Sequence, residues 1–320
     1  HSFPTRRSSD LFGMTPKFYR KSLVELSKTV EQNMCAQDWT NINYSHVPSL
    51  AAARYQKAFK KHDAAGYEAY KAALVTGEAK VNAAAVYPYD VIKSHKFGGD
   101  NTVLQAQWDA LPNYIGDELV LPMCDVSGSM SCPVGGNANL TCMDVCVSLG
   151  LYLADKNTGP FKDMFLTFSA KSKIEILKGN LISKLAQLQR SQWDMNTNLN
   201  AAFEEVLRVA KAGKVEAKDM PKYILIMSDM QFDQCTRYDD SAMQMIERKY
   251  TEAGYEVPNI VFWNLNARAG QSPVKFDKKG TALVSGFSPA ILQSILAAED
   301  LDPTSVMMQT LNSARYAVIA

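Results

Sequence analysis

The stretch that decides the fold is Leu119-Val120-Leu121-Pro122-Met123-Cys124-Asp125-Val126-Ser127-Gly128-Ser129-Met130. An uninterrupted apolar run of strand length ends directly on an acidic, hydroxyl-rich turn, with no spacer between them. Runs of this kind belong to parallel sheets covered by helices on both faces. The same texture continues downstream. Strands are expected at Glu118–Asp125, Phe165–Ser169, Lys173–Leu177, Lys222–Ser228, Asn259–Asn264 and Ala282–Gly286. Amphipathic helices are expected at Cys142–Ala154, Leu199–Lys211, Ser241–Ala253 and Ser288–Leu296. Strands separated by helices pair in parallel through right-handed crossovers. The expected fold over residues 117–320 is therefore α/β, a doubly wound, mostly parallel, Rossmann-like sheet.

Upstream the pattern is helical. Phe18, Leu23, Leu26 and Val30 recur at helical spacing, and Ser22 with Glu25 has the form of a capping box. A second helical pattern runs from His46 through Tyr55 and Phe59 to Leu74, and a short one covers Leu104–Leu111. Pro112-Asn113 and Gly116 mark the expected boundary, so residues 12–116 form an α-helical region ahead of the sheet. Residues 1–11, HSFPTRRSSDL, show neither period. They resemble a peptide translated from sequencing-adapter DNA and are expected to be non-native, which implies a natural chain extending further N-terminally.

Bulk features exclude several classes. The 34 Lys+Arg and 33 Asp+Glu nearly cancel, which excludes a polybasic nucleic-acid binder as the whole protein. The helical region leans basic, with 12 Lys+Arg against 9 Asp+Glu, and residues 117–320 lean acidic, with 20 against 23. No apolar run approaches the ~20 residues of a membrane span, and no secretory leader is recognisable, so a cytoplasmic protein without membrane contact is expected. Six cysteines in 320 residues are too sparse for a disulfide scaffold, and reduced, inert thiols are expected.

Three segments carry hard oxygen ligands. They are Asp125-x-Ser127-x-Ser129 after the first strand, Thr197 just before the helix at Leu199, and Asp229 at the end of the strand from Lys222. In open α/β sheets, ligands bind beyond the carboxyl ends of the strands. A hard divalent ion such as Mg²⁺, with Mn²⁺ or Ca²⁺ as the variants, takes oxygen ligands and keeps several waters. Alternation lets one turn aim a carboxylate and two hydroxyls at a single point, and Gly128 permits the tight turn. Thr197 adds a hydroxyl and Asp229 a second carboxylate. So small a protein charge leaves the ion able to accept an acidic group from a partner protein. Trp193, Asn198 and Met230 flank these loops and are the candidate rim around a ligand.

In their order and separations these residues resemble the metal-ion-dependent adhesion site of von Willebrand factor A domains. In that family the first Asp, both Ser, the Thr and the later Asp surround the ion. The resemblance implies the corresponding roles for Asp125, Ser127, Ser129, Thr197 and Asp229. A departure is Ser228-Asp229-Met230, where many such domains have Thr-Asp-Gly. The strings Asp229-Met230-Gln231-Phe232-Asp233-Gln234 and Ile260-Val261-Phe262-Trp263-Asn264-Leu265 resemble a narrower family of predicted proteins from plants, large DNA viruses and phages. Its members place a helical region before an A-type domain and carry no assigned reaction. The expected function is thus a metal-dependent protein-interaction module.

Two rivals use the same residues. RNA binding would suit the architecture, which resembles that of the Ro ribonucleoprotein. The cluster Lys57, Lys60, Lys61 and His62 beside Tyr55 and Tyr67 could supply phosphate contact and stacking, although such a run also suits a solvated helix face. A metal-dependent hydrolase is weaker. Ser127 replaces the second Asp that a phosphatase of the haloacid dehalogenase type needs, no His follows residue 95, and the GxSxG, GxxxxGK[ST] and GxGxxG motifs are absent. No catalytic constellation is expected.

Overall fold

The structure, a computed structural model, describes residues 9–27, 29–83, 86–134, 137–167, 171–191, 199–229, 240–266, 281–286, 291, 296 and 303–312. The chain divides into two compact units. One holds the residues up to 85 together with 102–110, and the other holds 86–101 and everything from 111 onward.

The first unit is helical. Its elements are α1 (Pro16–Ser27), α2 (Val30–Cys35), α3 (Ser49–His62), α4 (Ala64–Thr76) and most of α6 (Asn101–Asp109), while α5 (Pro88–Lys96) belongs to the second unit. Ser22 and Glu25 do not begin a helix as their spacing suggests. The start lies earlier, where Thr15 Oγ1 accepts the N–H of Phe18 at 3.3 Å and satisfies one of the free donors of the first turn. Asp63 ends α3 and caps α4, its Oδ1 accepting the N–H of Gly66 at 3.1 Å and its Oδ2 the hydroxyl of Tyr44 at 2.8 Å. Tyr44, Phe59 and Tyr67 form the centre of this unit's core, Tyr44 edge-on to both other rings and Phe59 tilted against Tyr67, with ring centres 5.1–5.7 Å apart, the spacing aromatic pairs prefer.

The second unit carries a six-stranded sheet. Its strands are β1 (Val120–Cys124), β4 (Met164–Thr167), β5 (Ile174–Ile176), β6 (Tyr223–Ser228), β7 (Asn259–Asn264) and β8 (Thr281–Ser285), in the spatial order β5-β4-β1-β6-β7-β8. All pairings are parallel except β4 with β5. Each expected strand is present; β1, β5 and β6 are shorter than expected at one or both ends, β7 matches, β4 and β8 begin one residue earlier, and the expected end of β4 lies outside the described residues. A short antiparallel ribbon of β2 (Pro133–Val134) and β3 (Asn137–Thr141) lies between β1 and α7 (Cys142–Lys156) and was not anticipated from the sequence. The remaining helices are α8 (Leu181–Arg190), also not anticipated, then α9 (Leu199–Gly213), α10 (Asp240–Glu252) and α11 (Pro303–Leu311). Of the helix expected at Ser288–Leu296, most residues lie outside those described.

Strand alternation sorts the core into two layers. Met123, Ile226 and Phe262 are in register and pack with Phe203 and Val206 of α9 and with Ile246 and Tyr250 of α10. Their chain neighbours Cys124, Met227 and Trp263 project to the opposite face. There α7 approaches so closely that Gly150 faces the Cys124 sulfur. Beyond α7, Asn157 fastens the start of β1, donating to the Val120 carbonyl at 2.7 Å and accepting its N–H at 3.3 Å. Helices on both sides of a mostly parallel sheet confirm the α/β architecture.

The start of α7 is held electrostatically. Thr141 Oγ1 accepts the N–H of Asp144, and Asp144 accepts the N–H of Thr141, both at 3.1 Å, while Lys96 of α5 pairs with the same carboxylate. Burial pushes the Asp144 carboxyl up, but the Lys96 ammonium and the Thr141 donors outweigh it, so the carboxyl lies below its ordinary value of 3.8. A depressed carboxyl stabilises the fold above its ordinary value and loses that contribution as pH falls through the folded value. Asp144→Asn is expected to cost about 1 kcal/mol at neutral pH. The cost should shrink once the solution is more acidic than the depressed value, and urea midpoints for both proteins in neutral and strongly acidic buffer check this.

Candidate metal centre

The strand order reverses direction between β1 and β6: from β1 the chain moves to β4 and β5, and from β6 to β7 and β8. A crevice opens at the carboxyl ends of the two strands that flank such a reversal. Asp125 follows the last residue of β1, and Asp229 follows the last residue of β6. In-register pairing of Cys124 with Met227, and the Asp125 N–H bonded to the Met227 carbonyl at 3.0 Å, hold the two strand ends side by side.

Both carboxylates are nearly out of solvent, Asp125 at 2% exposure and Asp229 at 5%. Asp125 Oδ1 accepts the Ser127 N–H at 2.9 Å, and its Oδ2 accepts the Ser228 hydroxyl at 2.6 Å. The first bond folds the turn, and the second fixes the carboxylate plane from the neighbouring strand. Within the turn, Gly128–Ser131 is a single tight 3₁₀ turn that brings Ser127 Oγ to 2.9 Å from Ser129 Oγ. Alternation in Asp125-x-Ser127-x-Ser129 therefore does gather oxygens. Met130 is completely buried, and its sulfur accepts the Asp229 N–H at 3.2 Å, tying the first segment to the third.

Burial raises the Asp125 carboxyl above its ordinary value, the Ser228 and Ser127 donors oppose that, and the Asp229 charge adds to it. The neighbouring Asp229 charge disfavours the ionised form of the buried Asp125 carboxyl. A bound cation relieves that repulsion. Among the described residues no group of three or more His, Cys, Asp or Glu is placed to hold a metal. Any ion here would depend on hydroxyls and water beside the two carboxylates, a donor set that suits a hard divalent cation.

Thr197, Trp193, Asn198 and Met230 lie outside the described residues, so the sequence-predicted site is seen in four of its five ligand positions. Lys57, Lys60 and Lys61 are exposed on α3 of the helical unit, but Tyr67, read as their aromatic neighbour, is buried in that unit's core. Two residues of the candidate centre escaped the sequence reading. Ser228 orients Asp125, and its signal was its place at the end of β6 directly before Asp229. Met130 carried no signal, because a sulfur acceptor for a backbone N–H has no sequence pattern.

Comparison with known proteins places the chain. It is 30% identical over 323 aligned residues to Uncharacterized protein L728 of Acanthamoeba polyphaga mimivirus, covering 93% of this chain and 55% of the relative. The chain thus spans about half the length of that curated relative. A solved structure, that of the Deinococcus radiodurans RO (RSR) protein, is similar with a TM-score of 0.47 and 15% identity, over 78% of this chain and 53% of that one. The sequence model of a family described as domain of unknown function DUF2828 matches residues 8–118. A second, described as domain of unknown function DUF7788, matches residues 120–315. That match spans more than half the chain and takes in the whole sheet with both carboxylates, so the protein belongs to the DUF7788 family.

Proposed function

We propose that the α/β unit binds a divalent cation, Mg²⁺ in the first instance, through Asp125, Ser127, Ser129 and Asp229, with Thr197 completing the set. We read the protein as an interaction module whose ion accepts an acidic group from a partner protein. The observation that carries this reading is the pairing of two buried carboxylates with two hydroxyls 2.9 Å apart at the point where the sheet reverses its strand order. Mg²⁺ holds part of its hydration shell when few protein charges face it, so a carboxylate from outside can displace one water. The resemblance to the adhesion site of A-type domains supports the same ligand assignment.

Thermal unfolding with and without metal tests it. Mg²⁺ or Mn²⁺ at about 100 times Kd should stabilise the protein by about 2.7 kcal/mol, which in a unit of this size raises Tm by roughly 5–10 °C. Asp125→Asn should abolish the rise. An unchanged Tm for the wild-type chain at millimolar metal sinks the reading. The partner side is checked by recovering bound protein from a lysate with metal, with chelator and with Asp125→Ala; recovery that ignores all three treatments contradicts it.

A further inference from the structure

We infer that Cys132 and Cys142 are a reversible thiol–disulfide pair that closes the end of the β2–β3 ribbon. Their sulfurs lie 3.3 Å apart and are not bonded. The ribbon sets Pro133 opposite Thr141, and one residue further out the Cys142 N–H donates to the Cys132 carbonyl at 3.0 Å. Opposed residues of an antiparallel ribbon have Cα atoms about 4.5–5.5 Å apart, within the ~4.4–6.8 Å that a disulfide spans. Forming the bond brings the sulfurs to about 2.0 Å, a small approach for two side chains already facing each other.

The other described thiols are placed differently. Cys124 and Cys146 are buried and turn their sulfurs toward backbone carbonyls, of Cys146 and Met227 respectively. Cys35 is exposed on α2 in the other unit. Cys132 is partly exposed while Cys142 is buried, so Cys132 is the point of entry for a reagent from solution. The Asn266 amide donates to the Cys132 sulfur at 3.3 Å and fixes its position beside Cys142.

The chemistry is exchange with a small-molecule disulfide such as oxidised glutathione. The Cys132 thiolate attacks one glutathione sulfur; that S–S bond breaks and one glutathione leaves as a thiolate. Cys142 gives its proton to solvent base and attacks the Cys132 sulfur, expelling the second glutathione thiolate. Two protein thiols are oxidised to one disulfide, and one glutathione disulfide is reduced to two thiols. Excess reduced glutathione runs both steps backward. The Cys132 N–H also bonds the Ser129 carbonyl at 3.1 Å, so the cross-link would anchor the serine turn at its far end. Disulfide formation needs no metal and stands apart from the cation reading.

The test uses the full chain with Cys235→Ser, since Cys235 lies outside the described residues. The protein is equilibrated in glutathione buffers of increasing oxidised fraction, alkylated, and analysed by intact mass and peptide mapping. The expected product carries one glutathione on Cys35, has in addition lost the mass of two hydrogen atoms, and yields a Cys132–Cys142 linked peptide, all reversed by reduced glutathione. Adding Cys142→Ser should instead trap one glutathione on Cys132, and adding Cys132→Ser should leave Cys142 unmodified. Exposed Cys35 reports in each sample that the buffer is oxidising. If Cys35 is modified while Cys132 and Cys142 stay alkylatable, the inference is overturned. Glutathione remaining on Cys132 beside a free Cys142, or either residue linked to another cysteine, overturns it equally.

Discussion

Trp263→Ala should lower the unfolding free energy by about 3–5 kcal/mol, the range for emptying a large aromatic site in a packed core. Trp263 is fully buried on β7, in register with Met227 of β6 and Val284 of β8, on the face of the sheet opposite Phe262. Its indole N–H donates to the Gly286 carbonyl at 2.7 Å, just past the end of β8, so the side chain also holds the last strand in place. Trp263→Phe separates the two roles. It keeps most of the ring and abandons the Gly286 carbonyl, and should cost only about 1–3 kcal/mol. Urea unfolding followed by far-ultraviolet circular dichroism reads both variants without relying on the fluorophore removed. A midpoint for Trp263→Ala close to the wild-type value would show that the β7–β8 edge contributes nothing to the cooperative core.

The second large effect runs against helix propensity. Alanine in a helix interior ordinarily improves on glycine by about 1 kcal/mol. In α7, a Cβ built on Gly150 would meet the Cys124 sulfur at 2.1 Å and the Met227 methyl at 3.5 Å. Cys124 is fully buried in β1, and its short side chain has one torsion with which to escape. Gly150→Ala should therefore destabilise by about 1–3 kcal/mol, as overpacking does, instead of stabilising. Cys124→Ala removes the obstructing atom. On its own it should destabilise modestly, yet the double variant should be more stable than Gly150→Ala, with a coupling of about 0.5–3 kcal/mol. Additive costs in that cycle would mean that α7 relaxes away from β1 and that the close approach is not required.

The sequence displayed the sheet and half concealed what surrounds the site. The central strands were readable because parallel, doubly covered strands are continuous apolar runs, and Tyr223–Ser228 and Val120–Cys124 stand out as such, whereas the edge strand Ile174–Ile176 is half-exposed and carries a central Glu175. The ribbon Pro133–Val134 with Asn137–Thr141 was not readable. One of its strands is two residues long, and polar residues dominate the other. The helix Pro88–Lys96 hid because it is short and its opening proline resembles a loop. Of the candidate residues, Asp125, Ser127, Ser129 and Asp229 stand out in the sequence by their chemistry, their order and the resemblance these carry, and the structure puts Asp125 and Asp229 at adjacent strand ends. Ser228 and Met130 act through contacts between strands far apart in sequence, which spacing does not encode. The Cys132–Cys142 proximity has the same origin, since it depends on the unforeseen ribbon.

The adjacency of β1 and β6 has a kinetic side. Asp125 and Ser228 are 103 residues apart in the chain, yet they share one hydrogen bond across neighbouring strands. Contacts of such sequence separation must overcome loop-closure entropy before they repay it, and they form late and slowly compared with local pairing. A ribosome makes about 5–20 residues each second, so several seconds pass between the emergence of the first carboxylate and that of the second. During that interval the Asp125 turn exists without its partner strand. The candidate centre is thus a property of the completed sheet and comes into being only when β6 docks, after most of this unit has been synthesised.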